Sequence, residues 1–226
     1  AASIPPLSVV GPTISIRKHR RHAYDLESLV SEKMLDRDSI EIIREVIRRN
    51  INIIICGKGG AGKTTLLRAI LREIPETRRF LVCESESELY PDNKNILVEK
   101  IIQRDFGRST DLSELVRDGL SLSLDGYCIG EIIGEEAWDF IKAGLTDHTT
   151  YATIHANGIR EVMSRLMMLI NHRVQNYGLH EIQSMISESL EYIIYLSEFK
   201  LVEIGRYHQG EITSLYKRSE VLNGSS

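Results

Sequence analysis

The amino-acid sequence predicts an α/β domain: a mostly parallel sheet with helices on both faces and an antiparallel C-terminal extension. Three observations carry the prediction. Residues 51–56 (INIIIC) are a continuous β-branched run, the pattern of a strand buried on both faces. Strand-like runs then alternate with helical patterns of about ten residues, the order of a parallel sheet with crossover helices. The final runs EYIIYL, LVEIG and EITSLY follow one another at short spacing, which predicts the antiparallel extension.

The elements follow in order. Ile14 and Ile16 alternate with Ser15 and Arg17 after Gly11-Pro12 and predict a short strand. Leu26, Leu29 and Val30 recur at helical spacing within 25–34. A second helix is predicted over 38–49, capped by Asp38, with Ile40, Ile43, Val46 and Ile47 as its apolar face. After 51–56 comes a glycine-rich loop, then a helix carrying Leu66, Leu67, Ile70 and Leu71. FLVC (80–83) reads as the next buried strand. Asp111 opens a helix, with Glu114 completing a capping box and Leu112, Leu115, Val116 and Leu120 turned inward. YCIGEI (127–132) is a strand, 135–145 a helix, and YATIH (151–155) another strand. Helices over 159–170 and 180–190 precede the tail.

Apolar residues make up 42% of the 226 and charged residues 27%, enough to build a packed core and too apolar for a disordered chain. Net charge is −4, which argues against wholesale phosphate neutralisation, so no direct nucleic-acid contact is expected. Cys56, Cys83 and Cys128 each sit in an apolar run and read as buried thiols of a reducing compartment. No Cys/His cluster has zinc-site spacing. No apolar stretch reaches the ~18 residues of a membrane span, and no signal peptide is visible, so a cytoplasmic chain is expected.

The chemistry concentrates in Gly57-Lys58-Gly59-Gly60-Ala61-Gly62-Lys63-Thr64-Thr65, which meets the pattern GxxxxGK[ST]. Glycines let the backbone wrap phosphate oxygens with no Cβ in the way. Successive N–H groups and the helix N-terminus make a concave anion site. Lys63 reaches the β- and γ-phosphates, the Thr64 hydroxyl ligates Mg²⁺, and Thr65 serves the α-phosphate side. ATP is favoured over GTP, because PDNKN reverses the order of a guanine-reading NKxD motif.

Ligands of open α/β sheets bind beyond the carboxyl ends of the strands. Glu131 ends one strand and is the candidate for polarising an attacking water, on a strand expected beside that of the phosphate loop. Glu84 ends another. Its neighbours Glu86 and Glu88 share a face with it, and ESESEL reads equally as a solvated turn. Asp125 starts the Glu131 strand and so belongs to the opposite end of the sheet. His155 ends a strand, and two readings stand: a γ-phosphate sensor or a structural histidine.

Taken together, GKGGAGKTT, ESESEL, GEI and TIHANG, in this order, resemble the secretion-ATPase superfamily that powers type II and type IV secretion and pilus assembly, most of all its type IV secretion and tight-adherence subgroup. The resemblance runs from about Ile4 to Leu169. It implies a RecA-like P-loop ATPase domain over 21–226, with 1–20 as the end of a preceding domain and linker. It implies ATP and Mg²⁺, a homo-hexameric ring, and a cytoplasmic location peripheral to the inner membrane beside a secretion or pilus platform protein. By resemblance Gly57 to Thr65 are the Walker A residues, Glu84 opens the acidic box, Glu131 is the Walker B glutamate, His148 and His155 belong to the histidine box, and Arg104 meets phosphate. The sequence departs from the family where Ser85 replaces an aspartate, Ser121 and Ser123 stand for two arginines, and Ile133 for a third. Two functions follow: a motor that hydrolyses ATP, or a nucleotide-binding ring subunit with little or no hydrolysis. A small-molecule kinase fits less well because no arginine-rich lid is apparent.

Overall fold

The computed structural model describes residues 2–6, 8–14, 24–85, 88–89, 91, 93–100, 112–119, 121–174 and 176–219. β1 (Ala2–Ser3) and β2 (Thr13–Ile14) form an antiparallel ribbon of their own. α1 (Leu26–Ser31) starts where the Ser28 N–H donates to Asp25 Oδ1 at 2.7 Å. α2 (Arg37–Arg48) is capped by Asp36 and not by the expected Asp38. The Ser39 N–H donates to Asp36 Oδ1 and the Asp36 N–H to Ser39 Oγ, a reciprocal box open only to residues three apart. Asp38 instead lies in the first turn, where its charge complements the helix dipole.

The remaining elements are β3 (Ile53–Cys56), α3 (Lys63–Glu73), β4 (Phe80–Glu84), β5 (Ile96–Lys100), α4 (Leu112–Gly119), β6 (Gly126–Ile132), α5 (Glu136–Leu145), β7 (Thr149–Ile154), α6 (Ile159–Arg173), α7 (Leu179–Ser189), β8 (Tyr192–Ser197), β9 (Lys200–His208) and β10 (Glu211–Lys217). The expected capping residue Asp111 lies outside the described residues.

One eight-stranded sheet has the order β10-β9-β8-β3-β7-β6-β4-β5. From β8 to β5 all neighbours are parallel, and β9 and β10 continue antiparallel. The predicted fold class is therefore the observed one, with two adjustments. β8, expected in the antiparallel tail, pairs parallel to β3 and flanks it. β7 lies between β3 and β6, so the Glu131 strand is not beside the phosphate-loop strand as expected.

The sheet separates two cores. Ile53 and Ile55 of β3 pack with α1, α2 and α3 on one face, and Ile54 and Cys56 with α5, α6 and α7 on the other. A strand covered on both sides has no solvent face, which is why its sequence is apolar without alternation. All three cysteines are free and buried. Among the described residues no helix is long and apolar enough to cross a membrane.

Candidate nucleotide site

The loop from Gly57 to Gly62 joins β3 to α3. Two of its glycines are required by contact. A Cβ on Gly57 would stand 2.5 Å from the Leu196 carbonyl oxygen at the end of β8. Gly62 has φ +98°, and a Cβ there would meet Met34 Cε at 2.9 Å and Phe199 Cδ2 at 3.0 Å. Gly59, Gly60, Gly62, Lys63, Thr64 and Thr65 line a cleft of about 490 Å³. Ala61 is buried behind the loop, its N–H donating to the Lys58 carbonyl.

Lys63 opens α3 with only 7% of its side chain exposed. Its ammonium donates to the carbonyls of Gly57 at 3.1 Å and Lys58 at 3.3 Å. It also faces Glu131 Oε1 at 3.7 Å and His155 Nδ1 at 3.4 Å. Burial pulls its pKa below the ordinary lysine value, and the Glu131 carboxylate opposes that pull.

Glu131 reaches across an intervening strand because β6 bulges. Its register with β7 slips between Ile129 and Ile132, and Thr153 Oγ1 of β7 donates to the Gly130 carbonyl inside the slip at 2.7 Å. A bulge re-aims the side chains beside it. Here it brings Glu131 Oε1 to 3.0 Å from His155 Nε2. Neutral His155 with its proton on Nε2 donates to Glu131 and offers Nδ1 to the Lys63 ammonium, so one tautomer satisfies both contacts.

Glu84 also lines the cleft but is buried, and its Oε2 accepts from the Glu88 and Leu89 N–H groups at 3.0 and 3.1 Å. It therefore holds Glu88 and Leu89 as well as facing the site. Among the described residues lining the cleft, Lys63 is the one lysine or arginine, against the carboxylates of Glu84, Glu88 and Glu131.

One expected site residue is not brought here. His148 precedes β7, at the opposite end of the sheet, where it packs edge-on against Tyr127 and contacts Thr146 Oγ1 at 3.0 Å. A residue before a parallel strand cannot share the end where that strand's carboxyl terminus opens. Arg104 lies outside the described residues. Of the departures from the family pattern, Ser85 and Ile133 line the cleft. Ser121 and Ser123 lie before β6, at the far end, with Ser121 Oγ donating to the Asp118 carbonyl.

The family model of the type II/IV secretion system protein matches residues 2–203. The chain belongs to that family. This secretion-family chain is 32% identical over 173 residues to a putative conjugal transfer protein of Mycobacterium tuberculosis, a match covering 74% of this chain and 49% of that protein. Among solved structures it resembles the VirB11 ATPase of the Brucella suis type IV secretion system, solved with sulphate, at a TM-score of 0.67 and 20% identity over 83% of this chain and 57% of that one. The Legionella pneumophila ATPase DotB follows at a TM-score of 0.58 and 25% identity, over 76% and 46% of the two chains. The secretion-family chain thus spans about half the length of the curated relatives it matches. The expected RecA-like architecture is that of these secretion ATPases.

One lining residue escaped the sequence reading. Phe199 reaches the cleft from the connection between β8 and β9. No local signal marked it: only the parallel pairing of β8 with β3 brings the turn in LSEFKLV to the phosphate-loop end of the sheet.

Proposed function

We propose that this chain is the ATP-binding and ATP-hydrolysing motor domain of a secretion or pilus-assembly machine. The observation that carries the reading is the contact set of Lys63, Glu131 and His155 at the mouth of the phosphate loop. The loop N–H groups and Lys63 hold the β- and γ-phosphates. Glu131, facing the γ-phosphate end, orients the attacking water and accepts its proton. His155 holds the Glu131 carboxylate in that position.

The cleft fits a divalent cation by its charge balance and by the Thr64 hydroxyl at its wall. Among the described lining residues three carboxylates stand against one lysine, which favours a bound cation beside a triphosphate, and Mg²⁺ is bound by few protein groups together with phosphate oxygens. Thr64 would hold Mg²⁺, which neutralises charge on the phosphates when bound. The relatives described as secretion ATPases and a conjugal transfer protein support the reading. So do the fold and the loop. A homo-hexameric ring, peripheral to the inner face of the cell membrane and docked on a platform protein, belongs to the same proposal.

A second reading, a ring subunit with little hydrolysis, is favoured by Lys63 being the one lysine or arginine among the described lining residues and by Ile133, 58% exposed at the lip where the family pattern expects arginine. Steady-state hydrolysis of Mg-ATP on the full-length protein separates the two. Turnover that disappears in Glu131→Gln, with analogue binding retained, supports the motor. Binding without turnover selects the second reading, and no binding of either kind sinks both.

A further inference from the structure

We propose that Phe199 is the stacking platform for the nucleobase, which places the base on the β8 side of the phosphate loop; the inference rests on the nucleotide reading above. The direction follows from the sheet. Glu131, His155 and the Lys63 ammonium gather on the β7 and β6 side of the loop, so the reactive γ end of a triphosphate points that way. Lys63, Thr64 and Thr65 then carry the chain of phosphates along the start of α3, and the ribose and base leave on the other side. β8 is the strand on that side of β3. Its end is locked to the loop by the approach of Leu196 to Gly57.

The side chain that β8 delivers there is the one phenyl or phenol ring among the described residues lining the cleft. Phe199 is half-buried, with one side against the core that holds Met34 and the ring beside Gly62, at the start of α3. Its backbone is costly to hold. Ser197 pairs with Lys200, so Glu198 and Phe199 are the whole connection between β8 and β9. Both are left-handed, at φ +48° and +58°. Two-residue turns of that shape select Asn and Gly, and a bulky residue in the left-handed region is an outlier. Such strain persists where the surroundings over-determine it, and it clusters at ligand sites. Here it presents a flat apolar ring to a cleft whose other large apolar side chains among the described residues, Leu89 and Ile133, are aliphatic and offer no ring face.

A ring face stacks any base, so Phe199 adds affinity without choosing between adenine and guanine. The test uses the full-length protein with Mg²⁺ and three probes: non-hydrolysable ATP and GTP analogues, and inorganic tripolyphosphate, which has no base. Phe199→Ala should weaken both analogues about 5- to 100-fold, the range of one base stacked on one aromatic ring. Tripolyphosphate affinity should stay at the parent value, and Phe199→Tyr should restore the analogues. Phe199→Leu keeps apolar packing against Gly62 and Met34 without the ring face, so it too should lose the analogues and keep tripolyphosphate. A Phe199→Leu protein that binds the analogues like the parent, or one that loses tripolyphosphate in equal measure, overturns the proposal. Parent protein that binds none of the three probes instead removes the nucleotide reading itself.

Discussion

Asp125 and Glu131 stand at opposite ends of the same strand, β6, yet they do opposite work. Asp125, before the strand, is tied to main chain: its Oδ2 accepts from the Arg79 N–H at 2.7 Å, and its own N–H donates to the Arg79 carbonyl. Arg78 seals the same end, donating to the Asp125 carbonyl, to Thr149 Oγ1 and to Asn50 Oδ1. Glu131, near the strand's end, is 40% exposed, and its partners are the side chains of Lys63 and His155. Loops at the starts of parallel strands close the sheet, and loops at their ends leave a cleft. A carboxylate is thus structural or chemical according to which end of the strand it stands on.

The sharpest way to break the comparison is to neutralise both. Glu131→Gln should lower kcat about 10²- to 10⁴-fold with little change in analogue binding, the range for losing a positioned base. Lys63→Ala should weaken triphosphate-analogue binding about 100-fold or more, measured by titration, because the phosphates lose a charged partner held in a nearly dry site. Retained tight binding would show that the loop is not the phosphate site. His155→Ala should cost about 10-fold in kcat and little in KM, since it orients Glu131 without touching substrate, a modest case of lost positioning. Asp125→Asn should leave turnover unchanged and cost about 1 kcal/mol, read as a melting temperature lower by about 2–4 °C. Turnover falling with Asp125→Asn as it does with Glu131→Gln would erase the distinction between the two ends.

That rule was available in the sequence, and its uneven use explains what was read and what was missed. It removed Asp125 from the candidate site, and applied to His148, which also precedes its strand, it would have removed that residue too. Family resemblance suggested His148, whereas the fold puts it against Tyr127. β3, β4 and β6 were legible because burial on both faces demands unbroken apolar runs. β5 was not, because it lies at the sheet edge with Leu97 and Val98 partly in solvent, and its run ends in Glu99 and Lys100. The parallel pairing of β8 depends on where α7 returns the chain, which no local pattern encodes. The β6 bulge was equally invisible, although it carries Glu131 across β7. Phe199 belongs to no motif, and only the pairing of β8 with β3 reveals it.

The thiols give the sheet a clock. Cys56, Cys83 and Cys128 lie on β3, β4 and β6. Burial pushes the first two up to about 12 and the third well above its usual value. An alkylating reagent attacks thiolate, so at pH 8 only about one Cys56 or Cys83 in 10⁴ would be competent even if reached. Labelling therefore waits for the strands to part, and each adduct adds a fixed mass. A sheet that opens as one unit yields chains carrying none or three adducts, and a sheet that peels strand by strand yields one and two on the way.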